Sequence, residues 1–176
     1  MTRRQLEHLI GAAAAIAEDD EIVVVGSQAI LGQFPDAPPE LLVSNEADVF
    51  PRHHPDRADL IDGSIGERAP FPETFGYYAQ GVGPETATLP LGWQERLVVV
   101  RSAATRGATG LCLEVHDLAL SKYVALRDKD DVFCRALARR GLVDRTTLEA
   151  RLSTMTVDPQ VRAAALGRIE ADFRPE

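Results

Sequence analysis

Ile22, Val23, Val24, Val25, Gly26, Ser27 and, downstream, Ser44, Asn45, Glu46, Ala47, Asp48, Val49, Phe50 are the two stretches on which the fold turns. The first is a β-branched run closed by a Gly-Ser turn, the pattern of a central strand buried on both faces. The second reads as a strand. Its residues two apart share a face, so the Glu46 and Asp48 carboxylates stand side by side. Adjacent carboxylates repel unless a cation joins them. A Gly-Ser turn opposite two same-face acids offers backbone donors for phosphate and ligands for Mg²⁺, the minimal equipment for moving a nucleotidyl group.

Working outward, Leu6, Leu9, Ile10, Ala13 and Ala17 recur at helical spacing, and the acidic run Glu18 to Glu21 ends that helix. Residues 28–33 form a short helix whose first amides face a bound phosphate. The acid strand spans 41–50 and stops at Pro51. A helix is expected around 56–61 and a strand over 75–82, weakened by Gly76 and Gly81. Strands over 97–100 and 111–115, both buried, complete the front half. Asp117 caps a long helix carrying Leu118, Val124, Leu126, Val132, Phe133 and Leu137, closed by Gly141. Helices over 146–152 and 159–173 follow, the latter with Asp158 as N-cap and Pro159 at its first position. The order describes a mixed α/β front half and a helical tail.

Composition narrows the function classes. The 176 residues, 45% hydrophobic and 26% charged, are enough for one sizeable core. A formal charge of −8 argues against electrostatic binding of long nucleic acids, so no DNA partner is expected. Cys112 and Cys134 lack CxxC or Cys/His spacing, which suits buried thiols in a reducing cytoplasm rather than a structural zinc. The first residues are too polar for a signal segment or a membrane span. A cytoplasmic protein without membrane contact is the expectation.

Read in order, Gly26, Ser27, then Ser44, Asn45, Glu46, Ala47, Asp48, then the run Asp117 to Lys122 and Arg127 to Asp130, this chain resembles the nucleotidyltransferase-like DUF6036 proteins, relatives of the AbiEii and MenT-type toxins. The likeness covers residues 22–152 and includes the runs 61–66 and 75–82. It implies an α/β (α+β) fold of the polymerase-beta type, with a mixed sheet flanked by helices. The division expected is a core over 1–116 and a helical region over 117–176 packed on it. It also implies an enzyme that uses Mg²⁺ or Mn²⁺ and a nucleoside triphosphate. The acceptor would be a tRNA 3′ end or a protein hydroxyl, in the setting of a toxin with an antitoxin.

The resemblance gives Glu46 the place of the family's first metal aspartate and Asp48 that of the second. Glutamate is a departure there, and its extra methylene loosens the octahedral geometry Mg²⁺ prefers. The competing reading of the acids is a solvated edge-strand face. Gly26 and Ser27 contact phosphate or simply make a strand-to-helix turn. The Ser44 hydroxyl contacts the nucleotide or bonds to the strand edge. In the related toxins a Lys and a later Asp complete the site, which points to Lys122 and Asp130, eight positions apart and on one helix face. The alternative is a solvated helix of charge pairs, and the choice between Asp130 and Asp131 stays open. His53 and His54, with Asp56 near them, are metal ligands or surface histidines, and the polar loop and their opposite facing favour the surface reading. His116 is placed to bond to the first turn of the helix it precedes. Tyr77, Tyr78 and Trp93 are base-stacking or core aromatics. Arg135, Arg139, Arg140, Arg145 and Arg151 form the basic patch available to an RNA end or an acidic partner. Two further classes compete: a non-catalytic nucleotide-binding or partner-binding module of the same fold, and a transferase acting on a small hydroxyl compound such as an aminoglycoside.

Overall fold

The computed structural model describes residues 1–174. Contacts divide the chain into two units, Met1–Thr86 with Leu97–Glu114, and Ala87–Arg96 with Val115–Glu176.

In the first unit, α1 (Arg3–Ala17) starts with a capping box in which Thr2 and Gln5 satisfy each other's backbone amides. Its apolar stripe, Leu6, Leu9, Ile10, Ala13 and Ala17, is buried, and Glu18 ends it in the left-handed region at φ 51°. The other elements are β1 (Glu21–Val24), α2 (Ile30–Gln33), β2 (Glu46–Pro51), α3 (Ala58–Ile65), α4 (Phe71–Phe75), β3 (Tyr78–Gly81), β4 (Val98–Val100) and β5 (Thr109–Cys112). The five strands form one sheet in the order β3-β2-β1-β5-β4. β1 runs antiparallel to β2 and parallel to β5, β2 is parallel to β3, and β4 is antiparallel to β5. This is the mixed sheet flanked by helices of a nucleotidyltransferase-like fold.

The pleat assigns each strand residue to a face. Ile22, Val24, Ala47, Val49 and Ala79 are fully buried on the face covered by α1 and α3. The register Ala47↔Ala79 and Val49↔Gly81 sets Gly81 against α3 so closely that a Cβ there would meet the Ala58 carbonyl oxygen at 1.9 Å. Glu46, Asp48, Tyr78 and Gln80 therefore occupy the opposite face, in the registers Glu46↔Tyr78 and Asp48↔Gln80.

The second unit holds α5 (Val115–Ala125), α6 (Asp128–Arg139), α7 (Arg145–Leu152) and α8 (Pro159–Asp172), with a 3-10 turn at Trp93–Arg96. Leu118, Tyr123, Phe133, Leu137, Leu148, Leu152 and Ile169 are buried. Asp158 caps α8 through the Gln160 amide with Pro159 at the first position, as the sequence predicts.

Several expectations are corrected. The acid strand begins at Glu46 rather than 41, because Pro39–Leu41 forms a 3-10 turn that buries Leu41 outside the sheet. It runs on through Pro51, which pairs with Ile22. Phe75 ends a short helix instead of opening β3. The strand expected at 97–100 is an edge strand with Val99 57% exposed. The next strand ends at Cys112, and Val115 already belongs to a helix. The long helix from Asp117 is two helices, broken at Leu126, whose φ of 56° no α-helix accommodates. Asp117 is consequently inside α5 and not its cap.

Candidate active site

The turn after β1 and the acids of β2 are built against each other. The Val25 amide donates to the Asp48 carbonyl at 3.0 Å, carrying the antiparallel ladder up to the turn. Gly26 follows with φ −78° and ψ −175°, extended backbone open to any residue. Glycine leaves room for the acid in its present position, since a Cβ would lie 2.0 Å from Asp48 Oδ2 and 3.0 Å from Asp48 Cβ and would displace that side chain. Ser27 then opens a 3-10 turn, Ser27–Ala29, that runs into α2. The next residue, Gln28, is fully buried, and neither its Nε2 nor its Oε1 has a partner. An unmatched buried amide costs about 1–3 kcal/mol, a burden with no benefit to a purely structural turn.

Glu46 and Asp48 are both half-buried. Val43, just before the strand, is 80% exposed and does not shield them. Glu46 Oε2 accepts a hydrogen bond from the Tyr78 hydroxyl at 3.0 Å. Among the described residues no Lys, Arg or His forms an ion pair with Glu46. Tyr78 senses both acids. Its phenol is pushed up to about 12 by burial first, then by the Glu46 hydrogen bond and the negative charges of Glu46, Glu67 and Asp48. The Ser44 hydroxyl bonds to the strand edge, accepting from the Glu46 amide at 3.0 Å and donating to its carbonyl at 3.3 Å.

These residues fit a divalent cation. Two oxygen-donor side chains project from one face two residues apart, Glu46 is held by a neutral donor that leaves its charge intact, and the missing Cβ of Gly26 clears the space around Asp48 Oδ2.

Lys122 and Asp130 lie in the second unit. They are not two turns apart on one helix but on α5 and α6, joined by a buried ion pair of 2.9 Å. Arg127 Nε adds a second bond to Asp130 at 2.7 Å, and the Lys122 ammonium sits 4.8 Å from the centre of the Phe133 ring. Burial raises the Asp130 carboxyl, but the bonds and charges of Lys122 and Arg127 prevail and hold it below its ordinary range. Asp131 is half-exposed and paired with Arg168, so Asp130 is the inward acid. The basic patch is largely spent within the unit: Arg135 pairs with Asp172, Arg145 with Glu149 and Glu170, and Arg151 with Asp117. His116 bonds to Asp144 at 3.1 Å.

Of a second cluster only His53 was a candidate ligand in the sequence, and its two aspartates were missed. Asp19, Asp20 and His53 bring ligand-type atoms within 4.8 Å of one another, the spacing of a metal site. Both Asp19 oxygens are already engaged, by the amides of Glu21, His53 and His54 and by His53 Nδ1. That satisfaction describes a clamp between the end of α1 and the chain leaving β2. The only sequence signal was an acid in a run of four. Burial tends to raise Asp19, but these hydrogen bonds keep it lowered, while the Asp19 bond foremost raises His53 above 6.5. Asp19 therefore stabilises the fold above the ordinary carboxylate range and loses that contribution as pH falls through its lowered value. The His53 contribution is complete below 6.5 and disappears as pH rises through its raised value. A urea midpoint that declines as pH rises above 6.5 through the raised His53 value in the wild type, and not in His53→Ala, is the expected result.

The model of a family described as nucleotidyltransferase of unknown function, DUF6036, matches residues 4–167. No curated protein and no solved structure matches the chain.

Proposed function

The chain belongs to the DUF6036 family of nucleotidyltransferases of unknown function, and from that membership we propose that it moves a nucleotidyl group from a nucleoside triphosphate to an acceptor hydroxyl at the Glu46 and Asp48 face of the sheet. The observation that carries the reading is the contact between Gly26 and Asp48, where a glycine is demanded by an acid rather than by the backbone. Glu46 and Asp48 would hold Mg²⁺ or Mn²⁺, which supplies charge neutralisation on the phosphates and acidifies the acceptor hydroxyl. The amides of Gly26 and Ser27 donate to phosphate oxygens. Lys122 and Asp130, the buried ion pair of the second unit, are proposed as the remaining catalytic residues, with Asp130 fixing the Lys122 ammonium. The acceptor hydroxyl gives up its proton to solvent as its oxygen bonds to the α-phosphorus, the bond from the α-phosphorus to the oxygen bridging it to the β-phosphate breaks, and pyrophosphate leaves carrying that oxygen.

For the acceptor we favour an RNA 3′ end, as of tRNA, or a protein hydroxyl, with a role as a toxin held by an antitoxin. The neutralised arginines of the second unit favour a short contact at an RNA end over a long nucleic-acid track.

Supplying α-labelled triphosphates, one base at a time with Mg²⁺ and then Mn²⁺, to total cellular RNA and lysate protein should yield a labelled species that Asp48→Ala does not make. The base and the size of the product then identify substrate and acceptor class. Transfer of γ-label instead would make the protein a phosphotransferase. Absence of label, together with triphosphate binding that survives the double variant Glu46→Ala, Asp48→Ala, would remove the acid pair from the function.

A further inference from the structure

Glu46 is one methylene longer than its partner acid Asp48, and the longer side chain has one more rotatable bond through which to lose its aim. The structure contains a compensating contact. Parallel pairing sets Tyr78 directly beside Glu46, and the Tyr78 amide donates to the Asn45 carbonyl at 3.0 Å, fixing the two strands at that point. The two side chains share one face of the sheet, with the phenolic oxygen 3.0 Å from Glu46 Oε2. An ionised carboxylate only accepts, so the proton of this bond belongs to Tyr78.

We propose that Tyr78 is the positioning residue that allows a glutamate to serve as the first acid of the cation site: its hydroxyl pins Oε2 and leaves Oε1 directed to a divalent metal ion. The inference rests on reading Glu46 and Asp48 as that site. A lysine or arginine in the same position would fix the carboxylate but cancel its charge. The phenol fixes it and preserves the charge, as hydrogen-bonded outer partners of metal ligands do. Shortening the acid to aspartate withdraws its oxygens by roughly one C–C bond, about 1.5 Å, beyond the reach of Tyr78. Tyr78 therefore matters only while residue 46 is a glutamate.

The test is a double-mutant cycle on Mn²⁺ binding to the full chain, read by electron paramagnetic resonance of the free ion. It uses the wild type, Tyr78→Phe, Glu46→Asp and the pair, with Asp48→Ala as control and a metal-free melting curve for each. Phenylalanine retains the ring, so folding is expected to persist. Tyr78→Phe should weaken Mn²⁺ binding by about tenfold or more in the glutamate background. In the Glu46→Asp background the same change should have no effect, and the pair should bind better than Tyr78→Phe alone. Equal losses in both backgrounds would make Tyr78 a merely structural residue and overturn the proposal, as would no loss in either. Mn²⁺ binding that depends on Asp48 but ignores Tyr78 overturns this inference alone. Binding indifferent to Asp48 overturns the cation site and the inference together.

Discussion

Gly26→Ala is expected to lower metal-dependent triphosphate binding on the order of a hundredfold while leaving the fold intact. The two readings of this glycine predict opposite results. At φ −78° an alanine is conformationally welcome, and in an ordinary strand-to-helix turn the substitution would stabilise the protein by about 0.4–1 kcal/mol through the unfolded chain. In this turn the new Cβ falls 2.0 Å from Asp48 Oδ2 and 2.8 Å from its Cγ, so the Asp48 side chain must swing away. A displaced rotamer on a half-exposed acid costs about 1 kcal/mol, close to the entropic gain, and the melting temperature without ligand should barely move. The site has no such offset, because a carboxylate moved by an ångström no longer presents its oxygen where the cation requires it. The measurement is the rise in melting temperature produced by Mg²⁺ with a triphosphate, set against the ligand-free curve of each variant. Retention of the full rise in Gly26→Ala would return the turn to the structural reading and detach it from Asp48.

What could be read in the sequence, and what could not, follows the distance over which each feature is specified. α1, β1 and the cap of α8 were legible because periodicity and capping are local: the buried stripe from Leu6 to Ala17 and the Asp158-Pro159 start need no knowledge of a partner. The acid pair was legible because strand alternation alone places Glu46 beside Asp48. The contact of Tyr78 with Glu46 was not, since it depends on the parallel register between β2 and β3, a pairing that no local pattern encodes. Tyr77, its neighbour, goes to the other face and bonds to His8 at 2.7 Å beside Phe71 and Phe75. The break between α5 and α6 escaped notice because a leucine, not a glycine, adopts the left-handed conformation there. A trace did exist: Asp128, Asp130 and Asp131 are the acids a new helix gathers in its first turn. Reading them as charge pairs on a continuing helix hid the reason Lys122 and Asp130 meet, which is a chain reversal and not two helical turns.

The same misplaced helix start sets up the largest stability effect expected in the molecule. As an N-cap, Asp117 would contribute about 1 kcal/mol and Asp117→Ala would be a mild lesion. In the structure its side chain is wholly buried, with Oδ2 accepting from Arg96 Nε at 2.8 Å and Oδ1 accepting from Arg96 Nη2 at 3.1 Å and Arg151 Nη1 at 2.9 Å. One carboxylate thus ties the Trp93–Arg96 turn and α7 to α5. Removing it takes the shared carboxylate away from two guanidiniums that are each about three-quarters shielded. Breaking such a buried set from one side costs about 3 kcal/mol or more, several times the value of a cap. Urea unfolding of Asp117→Ala therefore decides between the readings by magnitude alone. Asp117→Asn keeps the shape and part of the hydrogen bonding but not the charge, and should fall between the alanine variant and the wild type. Hydrogen exchange should show the amides of 93–96 losing protection first, because Arg96 is the tie that holds that turn to α5. A loss near 1 kcal/mol, equal for Ala and Asn and confined to the first turn of α5, would contradict the buried hub and restore Asp117 to the helix end.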